Sequence, residues 1–326
     1  MKVQDSSVLV TGGAGYVGGA LTDLLLTTKH NVRVYDCLVY EESYRKPVPF
    51  VFGDVRDMDS LRPHLEWADV VVWLAGVVGD GACALNPELA LEVNQTSIEQ
   101  LVRNFDGRIL FTSTCSVYGA ADQILDEGSP VGPLSVYAES KLEAERYLED
   151  QNAISFRLGT LFGIGDRYSR IRMDLVVNIL TAKTVSRGSI KVFGGDQYRP
   201  LLHVKDVAGA IVQNIETSHT GIFNLHSTNL RIRDLPDYLL AHYPELEVEW
   251  TPMQFEDNRN YRVSSQKAID AFDFQPRYSL DDGISELKEI LVEGRVKKLG
   301  IARHSNVRFL KEAMEQEDQT DAESWI

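Results

Sequence analysis

Four glycines, Gly12, Gly13, Gly15 and Gly18, fall within seven residues of one another. They come directly after the apolar run Ser7-Val8-Leu9-Val10 and directly before a segment whose Leu21, Leu24, Leu25 and Leu26 suit the buried stripe of a helix. Each glycine gives up more backbone freedom on folding than any other residue, so the cluster demands a reason. A strand-to-helix turn supplies one. The helix start carries unpaired N–H groups and the positive end of the macrodipole, a natural seat for phosphate. Glycine lets the backbone turn tightly and approach a pyrophosphate with no side chain between. The spacing of Gly12, Gly15 and Gly18 is G-x-x-G-x-x-G, a variant of the G-x-G-x-x-G dinucleotide turn. Gly12, Gly15, Tyr16, Val17 and Gly18 are therefore candidate cofactor contacts. The bland alternative is a glycine-rich turn that binds nothing. The next strand weighs against it: "NVRVYD" ends at Asp36, 18 residues after Gly18, where a carboxylate can accept hydrogen bonds from an adenosine ribose. It would repel a 2′-phosphate, which favours NAD over NADP. An Asp36 that merely caps its loop is the alternative.

Strand and helix signals then alternate. "FVFGDVRD" and "ADVVVWLAGVV" read as strands, the latter apolar enough to be buried on both faces. Leu89 to Phe105 has helical spacing, "RILFTSTCSVYG" is the next strand, Val136 to Asp150 a charged amphipathic helix, and Ile154 to Gly163 a further strand. This alternation predicts an α/β fold, a doubly wound parallel sheet of Rossmann type with a smaller C-terminal α/β lobe. The expected division is a dinucleotide domain over 1–165 and a mainly substrate-binding lobe over 166–326, with part of 199–215 returning to the first domain. "IKVFG" and "EVEWTP" read as short strands of that lobe. The acidic C-terminal tail is expected to fray in its last ten or so residues.

The 33 basic and 48 acidic residues leave a net charge of −15, which argues against nucleic acid and anionic membranes as main partners. Cys37, Cys83 and Cys115 form neither a metal-type pair nor a disulfide framework. No metal site is expected, and the thiols fit a reducing cytoplasm. No apolar stretch reaches the roughly 18 residues of a membrane helix.

Tyr137 and Lys141 stand four apart on the predicted helix and so share a face. Tyrosine is a poor base at neutral pH, and a nearby ammonium stabilises its phenolate. The same lysine can hold a nicotinamide ribose. A solvated helix face is the alternative, but the preceding strand brings Thr114 to the carboxyl edge of the sheet, where such folds bind ligands. There Thr114 can hydrogen-bond a substrate oxygen.

Together "TGGAGYVG", "FTSTCSVYG", "YAESK" and "RPLLHVKDVAGAI" resemble the extended short-chain dehydrogenase/reductase family, in its NAD-dependent epimerase/dehydratase group acting on nucleotide sugars. The resemblance runs to about Leu291. It implies Tyr137 as acid/base, Lys141 as its partner and Thr114 as the hydroxyl residue. It also implies Asp54 and Val55 beside the adenine, and Leu74, Ala75 and Gly76 along the cofactor. In the substrate lobe it implies Asn178 near the diphosphate, with Arg199 and Arg259 as phosphate-binding arginines, a role the planar guanidinium suits. Family members usually form homodimers through two helices per subunit. Here the helices would be those at Leu89–Phe105 and Tyr137–Asp150.

Departures narrow the chemistry. Where 4,6-dehydratases have Asp-Glu after the threonine, this chain has Cys115 and Ser116, which argues against that elimination. Where many epimerases have R-Y-F-N-x-Y-G, it reads Arg157-Leu158-Gly159-Thr160-Leu161-Phe162-Gly163. Cys115 is either an acid for a C3 or C5 inversion or, more in keeping with its type, a small buried filler. The leading expectation is a nucleotide-sugar epimerase with NAD recycled through a transient keto-sugar. The alternatives are a 4-keto-sugar-nucleotide reductase and a catalytically silent NAD-sensing or scaffold protein.

Overall fold

The first strand, β1 (Ser7–Thr11), turns Val8 and Val10 to one side and Leu9 to the other, and all three are fully buried. A strand apolar on both faces belongs inside a sheet covered by helices. In the computed structural model, which describes residues 5–193, 195–251, 260–296 and 298–323, β1 lies in the interior of such a sheet. The other strands are β2 (Asn31–Asp36), β3 (Phe50–Phe52), β4 (Val70–Trp73), β5 (Arg108–Thr114), β6 (Ala153–Leu158) and β7 (Gly221–Leu225). Their order is β3-β2-β1-β4-β5-β6-β7, and every neighbouring pair is parallel.

Helices cover both faces. Leu21 and Leu25 of helix Tyr16–Leu25, with Val207 and Ile211 of helix Val204–Gln213, pack on Val8, Val10, Val34 and Val72. Helices Met58–Trp67, Ser97–Asn104 and Val136–Tyr147 place Leu61, Leu65, Leu101 and Ala144 on Leu9, Val71, Trp73 and Phe111. Each fully buried Val, Leu or Phe contributes about 1.5–3 kcal/mol, so the two layers fix the strand ends firmly. Because the chain winds from β1 out through β2 and β3 and then resumes at β4, the strand order reverses between β1 and β4. In open α/β sheets the crevice at such a reversal is where ligands bind.

The smaller lobe has its own core around Phe162, Val177, Leu201, Leu230, Leu239 and Ile284. It holds a mixed three-stranded sheet of Thr160–Phe162, Tyr198–His203 and Thr228–Arg231. Beside it, Ser189–Phe193 and Glu247–Thr251, the two short strands read from the sequence, pair with each other in parallel. The lobes are interleaved. Helix Val204–Gln213 packs on helix Tyr16–Leu25, and Gly221–Leu225 supplies β7. A parallel neighbour for β6 requires a crossover, and helix Val204–Gln213 belongs to it. A cut at 165 therefore divides the sequence but not the sheet.

Two local expectations change. Ile154–Gly163 is not one strand: it leaves the large sheet after Leu158 and joins the small one at Thr160. At Gly159, between them, a Cβ would lie 2.7 Å from the Pro200 carbonyl oxygen, so the backbones approach too closely for a side chain. Leu89–Phe105 is not one regular helix either. A π-turn at Glu92–Thr96 separates Pro87–Leu91 from Ser97–Asn104. Among the described residues no helix is long and apolar enough to cross a membrane.

Candidate active site

At the β1 turn, Gly12 has φ +71°, and a Cβ there would sit 2.5 Å from the Ala75 nitrogen. A Cβ on Gly18 would sit 2.5 Å from the Gly13 Cα. Gly12 thus lets the turn lie against the end of β4, and Gly18 lets the helix lie against the turn. Gly15 is the N-cap residue and brings no side-chain cap, so the first N–H groups of helix Tyr16–Leu25 have no side-chain partner. An uncapped helix start in a cradle that side chains would fill fits a dinucleotide pyrophosphate.

Asp36, at the end of β2, accepts from the Ala14 amide at 3.0 Å and the Leu38 amide at 2.7 Å. It therefore shapes its own loop and also lines the cavity, so the two readings of this residue are compatible. Burial pushes its carboxyl up, against the pull of those two amides. Asp54 is ion-paired with Arg56 at 2.7 Å, and Arg56 reaches on to Glu92 at 3.0 Å.

Helix Val136–Tyr147 starts where it does because the Ser135 hydroxyl accepts from the Ala138 amide. The same hydroxyl donates to Asp80 at 2.8 Å. The start brings Tyr137, almost fully buried, against Cys83 and Ala90. The Thr114 hydroxyl, which accepts from the Ser116 amide at 3.1 Å, lies beside the Tyr137 phenol. Lys141 donates to the Thr112 carbonyl at 3.0 Å, with its ammonium 4.6 Å from the centre of the Phe111 ring. Burial pulls Lys141 down to about 8, against the opposing influence of Cys83 and Glu145. Burial pushes the Tyr137 phenol up, Cys83 adds to this, and the neighbouring Thr114 hydroxyl and Arg172 oppose it. The sequence pointed to Lys141 as the group that lowers the Tyr137 pKa. In this structure one N–H of the ammonium goes to the Thr112 carbonyl, and the groups that favour the Tyr137 phenolate are Thr114 and, after it, Arg172.

One continuous cavity of about 890 Å³ joins these parts. Its wall includes Gly12, Gly15, Tyr16, Val17, Gly18, Asp36, Asp54, Val55, Leu74, Ala75 and Gly76 on the cofactor side. Thr114, Tyr137 and Lys141 lie along it, and Arg199, with Lys183, Lys191 and Gln197, lines its far end. Tyr16 also donates its hydroxyl to the Gly163 carbonyl at 2.7 Å, tying the first helix to the smaller lobe.

Asn178 is different. Its side chain is completely buried and off the cavity wall. Its Oδ1 accepts from the Gly163 amide at 3.0 Å, and its Nδ2 donates to the carbonyls of Gly163 and Arg172 at 3.1 and 2.9 Å. It braces the floor of the cavity. Cys115 is also fully buried and donates to the Arg157 carbonyl at 3.2 Å, and burial pushes its thiol well above the usual range. Arg259 lies outside the described residues.

Three contributors escaped the sequence reading. Asn94, in the π-turn, accepts from the Val77 amide at 2.8 Å and donates to the Val77 carbonyl at 2.9 Å and to Ser140, the neighbour of Lys141, at 3.2 Å. π-turns often mark functional sites, but nothing local in the sequence announces one. Glu145 stands one turn beyond Lys141 and forms a buried ion pair with Arg157, at 2.6 Å, on β6. The Tyr-Lys-Glu spacing of four was the available signal. Arg172 lines the cavity, paired with Asp174 at 2.5 Å.

A parallel doubly wound sheet with an uncapped glycine turn at one end of a cavity is the dinucleotide-binding arrangement of the Rossmann class. A family model described as the NAD dependent epimerase/dehydratase family matches residues 8–225, and the chain belongs to that family. A relative from Methanocaldococcus jannaschii, whose name proposes a UDP-glucose 4-epimerase, is 30% identical over 86% of this chain and 96% of its own. UDP-glucuronic acid decarboxylase 1 of Arabidopsis thaliana is 25% identical over 86% of this chain and 68% of its own. Among solved structures, the UDP-glucose 4-epimerase of Thermotoga maritima with UDP-glucose superposes with a TM-score of 0.78 at 22% identity, covering 89% of this chain and all of that one. NAD is the cofactor of the family.

Proposed function

We propose that this protein is an NAD-dependent nucleotide-sugar epimerase. The observation that carries the reading is the single cavity running from the glycine turn, past Thr114, Tyr137 and Lys141, to Arg199. Its wall reaches from the dinucleotide turn to the cationic side chains of the smaller lobe, so a dinucleotide and a nucleotide sugar would share it. Gly12, Gly15, Tyr16, Val17 and Gly18 would hold the pyrophosphate, Asp36 the adenosine ribose, Asp54 and Val55 the adenine surroundings, and Lys141 the nicotinamide ribose. Arg199 would meet the substrate diphosphate, with Arg259 as its second arginine. The bound cofactor supplies a reversible hydride acceptor. Tyr137 would take the proton of the sugar C4 hydroxyl and later return it, with the Thr114 hydroxyl beside it to hold the reacting oxygen. With NAD bound as hydride acceptor and donor, the cavity would leave the keto-sugar room to present its other face, while Tyr137 keeps the C4 oxygen's proton. Cys115, sealed from the cavity, takes no part. The protein would work as a homodimer in the cytoplasm, paired through the helices at 87–104 and 136–147.

The same residues used in one direction would make a 4-keto-sugar-nucleotide reductase. A panel of UDP-, dTDP-, GDP- and CDP-sugars offered to the purified protein separates the readings. An epimerase equilibrates two sugars with no net change in NADH absorbance. Consumption of NADH in proportion to a keto-sugar would replace this reading with the reductase. No turnover of any sugar would leave the silent NAD-binding alternative.

A further inference from the structure

Residues 301–316 lie beyond the span matched by the family model, yet they return to the cavity. Asn306, Val307 and Leu310 line it at the start of the C-terminal helix, facing the loop after β2 and the loop after β4. We infer that this segment is a strap that forms a third wall of the dinucleotide site and sets how long NAD stays bound.

Its attachments support this. Asn306 is buried, and its Nδ2 donates to the Val78 carbonyl, just past β4, at 2.8 Å. Its backbone amide donates to Asp174 at 2.8 Å, and its Oδ1 accepts from the Arg170 guanidinium. Arg170 in turn donates to the Arg303 carbonyl at 2.9 Å and lies 3.7 Å above the Tyr40 ring. Glu41 accepts from the Arg170 amide at 2.7 Å and from the Arg303 guanidinium. Phe309 packs on Tyr40 with ring centres 5.1 Å apart, and a Cβ on Gly81 would come 2.9 Å from a Val307 methyl.

The strap thus bridges the loop that follows Asp36, the loop after β4 and the 170–174 segment of the smaller lobe. These are three separate sides of the opening through which a dinucleotide reaches the glycine turn. A ligand seated there leaves only when the strap lifts, and lifting it breaks several buried polar contacts together. Gating of this kind acts on the off-rate. Slow release suits a cofactor recycled in place, but the inference rests on the cofactor site alone and not on the sugar reaction.

The test is exchange of bound NAD in the full chain, chased with excess NADH whose fluorescence reports each exchange, with no sugar present. The Asn306→Ala/Phe309→Ala double variant removes the attachments to the Val78 and Tyr40 loops. It is expected to release NAD about tenfold faster or more. The Gly81→Cys/Val307→Cys pair is expected to form a disulfide and to exchange about tenfold more slowly oxidised than reduced. If the opening variant does not fold, as judged by circular dichroism, the locked pair decides alone. Equal rates for its two forms, or failure of the disulfide to form, overturns the strap, as does a folded opening variant that exchanges at the wild-type rate. A protein that holds NAD in this way but converts no sugar refutes the epimerase reading and leaves the strap standing.

Discussion

The two ends of the cavity are built from different materials. The cofactor end is mostly backbone, with glycines that admit close approach, a helix start without a cap, and strand ends fixed by apolar layers. The far end is mostly side chain, with Arg199, Lys183, Lys191 and Gln197 brought from separate segments and braced from below by Asn178. Backbone cradles are set by local sequence and suit a ligand that stays the same across relatives. Side-chain walls are set by tertiary packing and can be rebuilt for another substrate. Tyr137 and Lys141 stand between the two.

The largest expected effect falls at that junction. Tyr137→Phe keeps the ring and removes the proton carrier, and general acid–base catalysis contributes roughly 10²–10⁴-fold. Turnover should fall at least that far while NAD and nucleotide-sugar binding, measured by calorimetry, change little. Unimpaired turnover would remove Tyr137 from the mechanism.

Next comes the support behind the junction. Glu145→Ala strands the Arg157 charge, already buried under the sheet with its Nη1 lacking a partner. Breaking such a pair costs about 3–5 kcal/mol, to be read from urea unfolding. A loss under about 1 kcal/mol would mean the pair is dispensable.

The contrast at the far end is sharpened by two substitutions. Asn178→Ala leaves buried backbone groups unpaired and should cost about 1–3 kcal/mol of stability, with little change in KM. Arg199→Ala should raise KM for the nucleotide sugar with a smaller effect on unfolding. The reverse pattern would return Asn178 to the binding surface.

The smallest expected effect is a pH limb. Lys141 is held down to about 8 from its ordinary 10.5, so it is charged below that pH and neutral above it. If the ammonium holds the ribose and favours the phenolate, kcat/KM should decline as pH rises through about 8. Lys141→Arg, which stays charged, should lose that limb. A profile flat through this range in the wild-type protein would detach Lys141 from the chemistry.

The same contrast governs what could be read from the amino-acid order. The parallel sheet, the glycine turn, Asp36 and the Thr-Tyr-Lys group follow from short-range patterns, because strand, turn and helix are adjacent in the chain. The resemblance named Asn178 as a diphosphate neighbour and not as a floor brace, since its partners at Gly163 and Arg172 become neighbours only through the tertiary turn. The π-turn that aims Asn94 looks like ordinary helix in sequence. Gly221–Leu225 could not be assigned to the large sheet from its own five residues, because a seventh strand is defined by its neighbour. The C-terminal segment read as an acidic tail because its contacts, such as Asn306 with Val78 and Phe309 with Tyr40, span most of the chain.

The passage from Leu158 to Thr160 has a mechanical consequence. A single glycine, pressed against the Pro200 carbonyl, is all that separates the last strand residue of one sheet from the first of the other, and the chain later recrosses to lay down Gly221–Leu225. A joint this short, stitched again where Val204–Gln213 leaves the small sheet and where Leu225 leads back to Thr228, has little freedom to act as a hinge. The two halves must keep nearly the same mutual orientation whether the cleft is empty or filled, which leaves any opening and shutting to loops and side chains at the rim.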